Sequence, residues 1–435
     1  HNYRLFKDSA GLEIIYTGEV SWTHNTVTGE WKSHSLLIKD VAADASGRVW
    51  IATDHDGLLV YTPGEDAAGI FNRVRSADTP FLGECIQCLY CDNNGVMWLG
   101  TYKSGLSFIY DGKNTFAHTP LEDVTTVLED NTGIIWCGTD GEGIVRYDPE
   151  TGKRTNIRTD QNKLLSDIVV SSTLAPDGSL WFGAFRGGLA HFSNGRWTSY
   201  HTATSNLASN DVWDIKCTKD GTLYIGTLGA GLQVMDIVTG ESETYHHGNS
   251  PLREDHVSSL CFSENGLLYI GHAKGVDVFN PETKTIKAIG AGQLDELHVR
   301  DIFIDSRGLL WIASNKGIHA HDISSEKTYS VDIRGNSTNF HTVSVAEDTL
   351  GALWVCSNNL LTRIQVNSRG DGWEFFATSY GTNEGVPDVL FNKNSMVSLR
   401  NGDILAGCQR GFVRIVPKDI IQDRDSTYVI FSGIV

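Results

Sequence analysis

Three histidines recur at one structural address in this 435-residue chain, and histidine is the side chain whose ordinary pKa suits it to acid-base work or metal binding near neutrality. His256, His298 and His341 each stand thirteen residues before an aromatic anchor, Tyr269, Trp311 and Trp354. At the same offset the neighbouring units carry Asp211 and Asn392. Five residues after successive anchors stands a second series that is rich in fixed positive charge: Lys103, Arg186, Lys274, Lys316 and Arg410. Tyr102 and Phe185 place rings beside two of these cations. An inner rim of His, Asp and Asn inside an outer rim of Lys and Arg suits a polar, anionic small ligand such as an acidic oligosaccharide, with the rings stacking on its apolar face. The bland alternative is that exposed turns tolerate Lys and Arg, and that histidines at strand starts only bond to adjacent loops.

Other constellations are weaker. Cys85, Cys88 and Cys91 are spaced CxxCxxC, but the segment alternates like a strand and no fourth ligand follows. His319 and His321 fall on one side of a strand and read as packing residues. Asp54-His55-Asp56-Gly57 begins like a calcium loop but lacks its later ligands. Asp140 and Glu142 could serve a glycosidase, or His341 a lyase, but each needs a partner that spacing does not place. No Gly-x-Ser-x-Gly, HExxH or Walker pattern occurs. The expectation is no catalytic residue, no metal and no cofactor.

The elements that position these residues come from a repeat. A turn ending in Gly, an anchor three residues on, a Gly-Thr-like pair and a further Gly recur nine times, for example in NTGIIWCGTDGEG and KDGTLYIGTLGAG. The anchors are Trp50, Trp98, Trp136, Trp181, Tyr224, Tyr269, Trp311, Trp354 and Leu405, 38 to 51 residues apart. Within the unit from Asn210 to Gly248, four short β-branched or aromatic runs alternate with Asp-Gly and Gly-rich turns, which is the pattern of one four-stranded antiparallel propeller blade. The fold expected is therefore an all-β propeller, its anchors packed between blades and its glycines serving turns rather than phosphate. A degraded unit with Ile14 at the anchor precedes the nine. Even spacing from Trp136 onward predicts about three blades of a preceding propeller in 1–119, a seven-bladed disc in 120–416 and a tail in 417–435, with a lone strand at Tyr428 to Phe431. A single disc of eight to ten blades is the competing arrangement.

Hydrophobic residues make up 40% and charged residues 20%, which suits a globular chain and excludes a disordered one. A net charge of -18 argues against binding nucleic acid, which needs a positive field. No apolar run approaches twenty residues and no leader pattern opens the chain. The eight cysteines mostly sit in strand-like stretches as small core fillers.

The phrases IIWCGTDGEGIVRYDPETGK and TLYIGTLGAGLQVMDIVTGE resemble the regulator-propeller repeats of hybrid two-component sensors of Bacteroides-type bacteria. The closing stretch EGVPDVLFNKNSMVSLRNGDILAGCQRGFVRIVPKDI is similar to the last blade of that family's second propeller. The resemblance implies a periplasmic ectodomain fragment of an inner-membrane homodimer. A downstream membrane helix would link it to a histidine kinase, receiver and DNA-binding domain, and the ligand would be an oligosaccharide released from a glycan. It supplies no contact residues, so the site above rests on repeat position alone. A secreted carbohydrate-active enzyme and a protein-binding scaffold are the alternatives.

Overall fold

The computed structural model describes residues 3–44, 46–64, 72–73, 85–92, 96–103, 105–110, 115–161, 163–333 and 341–420. The strand expected at Tyr428 to Phe431 lies outside them. The chain divides into two compact units, 1–114 and 115–435.

Among the described residues the second unit contains seven four-stranded antiparallel sheets. Their first strands are Val124–Glu129, Val169–Leu174, Val212–Cys217, Val257–Phe262, Val299–Ile304, Thr342–Glu347 and Phe391–Ser398, here blades 1 to 7. Each of these strands packs against the next, and the seventh packs against the first, which closes a ring around a central channel. Blade 7 is composite. Its outermost strand is Phe116–Pro120, paired with Gly411–Ile415 from the far end of the disc. The sequence boundary at 119/120 thus cuts through a strand that belongs to the disc, and the units part at 114/115. No turn or periodicity near residue 116 signals this, because the strand's partner lies almost three hundred residues away.

The anchors pack as their size demands. Trp136, Trp181, Tyr224, Tyr269, Trp311, Trp354 and Leu405 are all buried in clusters that join adjacent blades. Burying a ring of that area contributes about 2–3 kcal/mol. Several also satisfy the indole N–H. Trp136 Nε1 donates to Asp130 Oδ2 at 2.7 Å, Trp311 to Asp305 at 2.9 Å and Trp354 to Asp348 at 3.0 Å. The other oxygen of each carboxylate accepts backbone N–H groups of the preceding turn. One aspartate therefore ties hairpin turn to inter-blade core.

The glycine two residues beyond the anchor has a packing role in blade 3. A Cβ on Gly226 would lie 2.6 Å from Val257 Cγ1 of the next inner strand, so the hydrogen side chain sets the blade-to-blade approach.

Among the described residues the first unit holds three sheets, of four, four and three strands. Ile14 and Trp50 are buried there. Trp98 is half-buried and packs against Phe108, ring centroids 5.5 Å apart. All eight cysteines are free thiols. Burial pushes the thiols of Cys137 and Cys408 up to about 12 and about 11, as expected of inert core fillers.

Candidate functional site

Strands of a blade run alternately up and down, so the start of each inner strand and the turn after each second strand emerge on one face. On that face the channel of the second unit opens into a cavity of 370 Å³. Its walls come from blades 1, 2, 3, 4 and 7 and include Asp123, Asp140, Phe185, Trp213, Ser258 and the run Asn392-Lys393-Asn394.

Every inner strand here begins with a break in register. The residue passed over is Thr125, Val170, Trp213, Ser258, Arg300 or Val343 in blades 1 to 6. In blade 7 the irregular stretch runs between Phe391 and Met396. A bulge leaves one residue unpaired and re-aims its side chain. Thr125, Val170, Trp213 and Ser258 all line the cavity, as do Lys393 and Asn394 of the longer irregular stretch.

The Trp213 ring is the centre of the mouth. Phe185 meets it edge-on at 6.3 Å and His256 at 5.8 Å. Lys393 reaches from blade 7 to place Nζ 3.8 Å from the indole centroid. The Lys393 side chain stays open to the channel, yet its surroundings displace enough water to lower its pKa to about 8, with the Arg300 charge adding to the shift. Arg300 in turn donates to His341 Nδ1 at 2.8 Å, so His341 carries its proton on Nε2. Burial holds the His256 imidazole below its usual pKa, and the Lys393 charge acts in the same direction. Its Nε2 is buried without a hydrogen-bond partner among the described residues. Asn392 Nδ2 donates to Asp123 Oδ1 at 2.6 Å and to the Val124 carbonyl at 2.7 Å. The aromatic rings of Phe185 and Trp213, the cation of Lys393 and the carboxylates of Asp123 and Asp140 thus line one mouth.

The residues expected from repeat position are placed differently. Asn392 and Phe185 line the cavity, and His256 and His341 touch residues beside it. Asp211 accepts the Arg186 backbone N–H at 2.9 Å, so its carboxylate holds the turn on which the Arg186 guanidinium rests 5.0 Å from the Phe185 centroid. His298 is exposed, and its backbone N–H is taken by Asn315.

The outer cations are less available than their type suggested. Lys274 Nζ is 3.3 Å from Glu254 and Lys316 Nζ is 3.2 Å from Glu296. Arg410 is exposed. Tyr102 and Lys103 belong to the first unit, where the ammonium lies 6.0 Å from the exposed tyrosine ring.

Repeat position missed Trp213, Lys393 and Arg300. Trp213 and Arg300 stand two residues beyond the rim series, so reading the same ruler at that offset finds both.

Of the groups that could serve catalysis, Glu142 is paired with Arg158 and His341 with Arg300. His319 and His321 are strand residues whose pKa values burial lowers, and His321 bonds Thr328. Among the described residues no helix is long and apolar enough to cross a membrane.

Comparison with known proteins agrees with the repeat. The family described as two-component regulator propeller matches residues 80–103 and 206–229, the second match covering Asp211, Trp213 and the anchor Tyr224. Histidine kinase P4 of Formosa agariphila is 25% identical over 329 residues, which is 71% of this chain and 23% of that protein. The chain therefore spans about a quarter of the length of its curated relative. Among solved structures, the extracellular domain of a hybrid two-component system of B. thetaiotaomicron superposes with a TM-score of 0.67 at 23% identity, covering 95% of this chain and 56% of that one. A streptogramin B lyase shares the fold at 12% identity and a TM-score of 0.54, over 70% of this chain and 96% of its own. The chain is an all-β protein built of propeller blades, two stretches of which match the repeat of two-component regulator propellers.

Proposed function

We propose that this chain is the extracytoplasmic sensing region of a two-component regulator, and that the channel mouth of the seven-bladed disc binds an anionic, glycan-derived oligosaccharide. The observation that carries the reading is the Lys393 ammonium lying on the Trp213 face at the floor of an open cavity. A sugar needs an aromatic surface for its C–H face and an acidic sugar a cation for its carboxylate, and here one pair of residues offers both. Asn394, Asp123 and Asp140 supply the hydroxyl-binding groups around them.

The resemblance to extracellular sensor domains supports a periplasmic location. It also supports a non-enzymatic role, a dimer in the full receptor and transmission through a downstream membrane helix to a kinase. Binding would act by shifting the population between two receptor arrangements. Engagement of Glu142 and His341 in ion-pair and hydrogen-bond contacts weighs against a lyase or hydrolase.

The test is calorimetry of the chain with uronate-containing and neutral oligosaccharides, with products followed by chromatography. Heat with the acidic sugars alone, an affinity about tenfold lower in Trp213→Ala and Lys393→Met, and no product are expected. Turnover, or acidic-sugar affinity unchanged in both variants, would overturn it.

A further inference from the structure

The crossover segments that lead from one blade's last strand to the next blade's first strand repeat a small clasp. Between blades 1 and 2, Thr159 donates its backbone N–H and its hydroxyl to the two oxygens of Asp167, each at 2.8 Å. Between blades 2 and 3, Thr202 N–H donates to Asn210 Oδ1 and its hydroxyl accepts from Asn210 Nδ2, both at 2.9 Å. Between blades 3 and 4 the pair is His247 and Asp255, at the same eight-residue spacing, with the His247 N–H on Asp255 Oδ1 at 2.7 Å and its Nδ1 against Oδ2. In all three the carbonyl of the Asp or Asn is pinned by glycine N–H groups of the preceding blade, Gly229 and Gly231 in the last case. A threonine suffices for the clasp, so the histidine at 247 is not needed to hold the chain.

What the substitution adds is a third donor. His246 precedes His247, and its Nδ1 accepts the Gly248 N–H at 3.1 Å. The ligating atoms of His246, His247 and Asp255 lie within 4.8 Å of one another. Rotation about the histidine side-chain bonds closes that spread onto one ion at about 2.0–2.2 Å. His201 occupies the place of His246 one blade earlier, but its neighbours are Thr202 and Asn210, which give no such set. The His247 ring is 71% exposed while Asp255 is mostly buried, so the carboxylate is fixed and the imidazole reachable from solvent.

We infer that His246, His247 and Asp255 form a binding site for a late divalent transition metal, zinc or copper, on the crossover between blades 3 and 4. Two imidazoles and one carboxylate select such ions over magnesium or calcium, which prefer all-oxygen sets. Solvent completes the coordination. The site stands apart from the sugar-binding reading and does not depend on it.

The experiment is titration of the chelator-treated chain with zinc sulfate by calorimetry at pH 7.5. The wild type is compared with His247→Thr and Asp255→Asn, the residues that the neighbouring clasp uses. His247→Thr recreates the Thr–Asp clasp that stands between blades 1 and 2, and Asp255→Asn keeps a side-chain oxygen to accept the His247 N–H, so melting temperatures should stay close to wild type. One zinc per chain is expected in the wild type, with affinity reduced about tenfold or more in both variants. Absence of zinc binding in the wild type, or equal affinity in the variants, would overturn the site.

Discussion

Lys393 and Trp213 face each other across the channel mouth, the ammonium 3.8 Å from the indole centroid, although their blades are not neighbours in the ring. The contact joins a cation that has lost part of its hydration to an aromatic face, which is attractive by about 0.5–2 kcal/mol.

The lowered Lys393 pKa, about 8, gives the site a pH signature. An anionic ligand prefers the ammonium, so affinity should hold from pH 6 to 7 and fall as pH rises through 8 to 9. Lys393→Met should be weak throughout and lose that slope. For stability the sign is opposite. The unfolded chain binds the lysine proton more tightly than the folded one between about 8 and the ordinary lysine value, so this residue makes the fold gain stability with rising pH in that window. A pH series of calorimetric titrations and melts on both proteins reads both effects.

Asp305 accepts N–H groups from Arg307, Leu309 and the Trp311 indole. Asp305→Ala would leave these donors stranded at a buried site, at a cost of about 3 kcal/mol. Asp305→Asn keeps an acceptor for part of the set and should cost less. Urea unfolding of the two variants distinguishes loss of the tie from loss of charge alone.

Gly226→Ala would drive a methyl into Val257, and the clash should cost about 1–3 kcal/mol. Adding Val257→Ala removes the nearer obstructing atom, Cγ1, and leaves the Cβ at 3.1 Å, so the double variant should lose less than the sum of the single changes. Gly229→Ala has no atom within 4 Å of the new Cβ and tests backbone strain alone at its φ of 110°. Its cost should be about 1 kcal/mol.

Burial raises the Asp301 carboxyl to about 7, with the nearby Asp214 charge adding to the shift while bonds from Val345 and Ser344 oppose it. The folded state therefore holds this proton more tightly than the unfolded one. The contribution of Asp301 is fully present below the ordinary aspartate value of 3.8 and is lost progressively as pH rises to about 7. Asp301→Asn should be more stabilising, relative to wild type, at pH 8 than at pH 5, as differential scanning calorimetry at the two pH values would show.

Much of the architecture was legible because each blade repeats the same local solution: an anchor to fill the seam, a glycine to let the next blade approach, and turns that admit positive φ. The anchors then served as a ruler, and Asn392 and Phe185 do line the mouth that the ruler located. What escaped depends on relations that the ruler does not measure. The bulge at the head of each inner strand turns Trp213 toward the channel, and a longer irregularity in blade 7 carries Lys393 across it. Lys274 and Lys316 looked free by type, but Glu254 and Glu296 on the crossover segments meet them in space. The outermost strand of blade 7 is borrowed from before blade 1, which no local pattern announces.

That borrowed strand fixes how the disc responds to load. Phe116 pairs with Ile415, and the Val416 N–H donates to the Thr115 carbonyl at 2.9 Å, so the chain enters and leaves at the same end of one antiparallel pair. Tension between the two ends loads these rungs one after another instead of sharing the force among them. The disc peels open from Thr115 and Val416 like a zip, and its weakest mechanical response is to tension applied between those two residues.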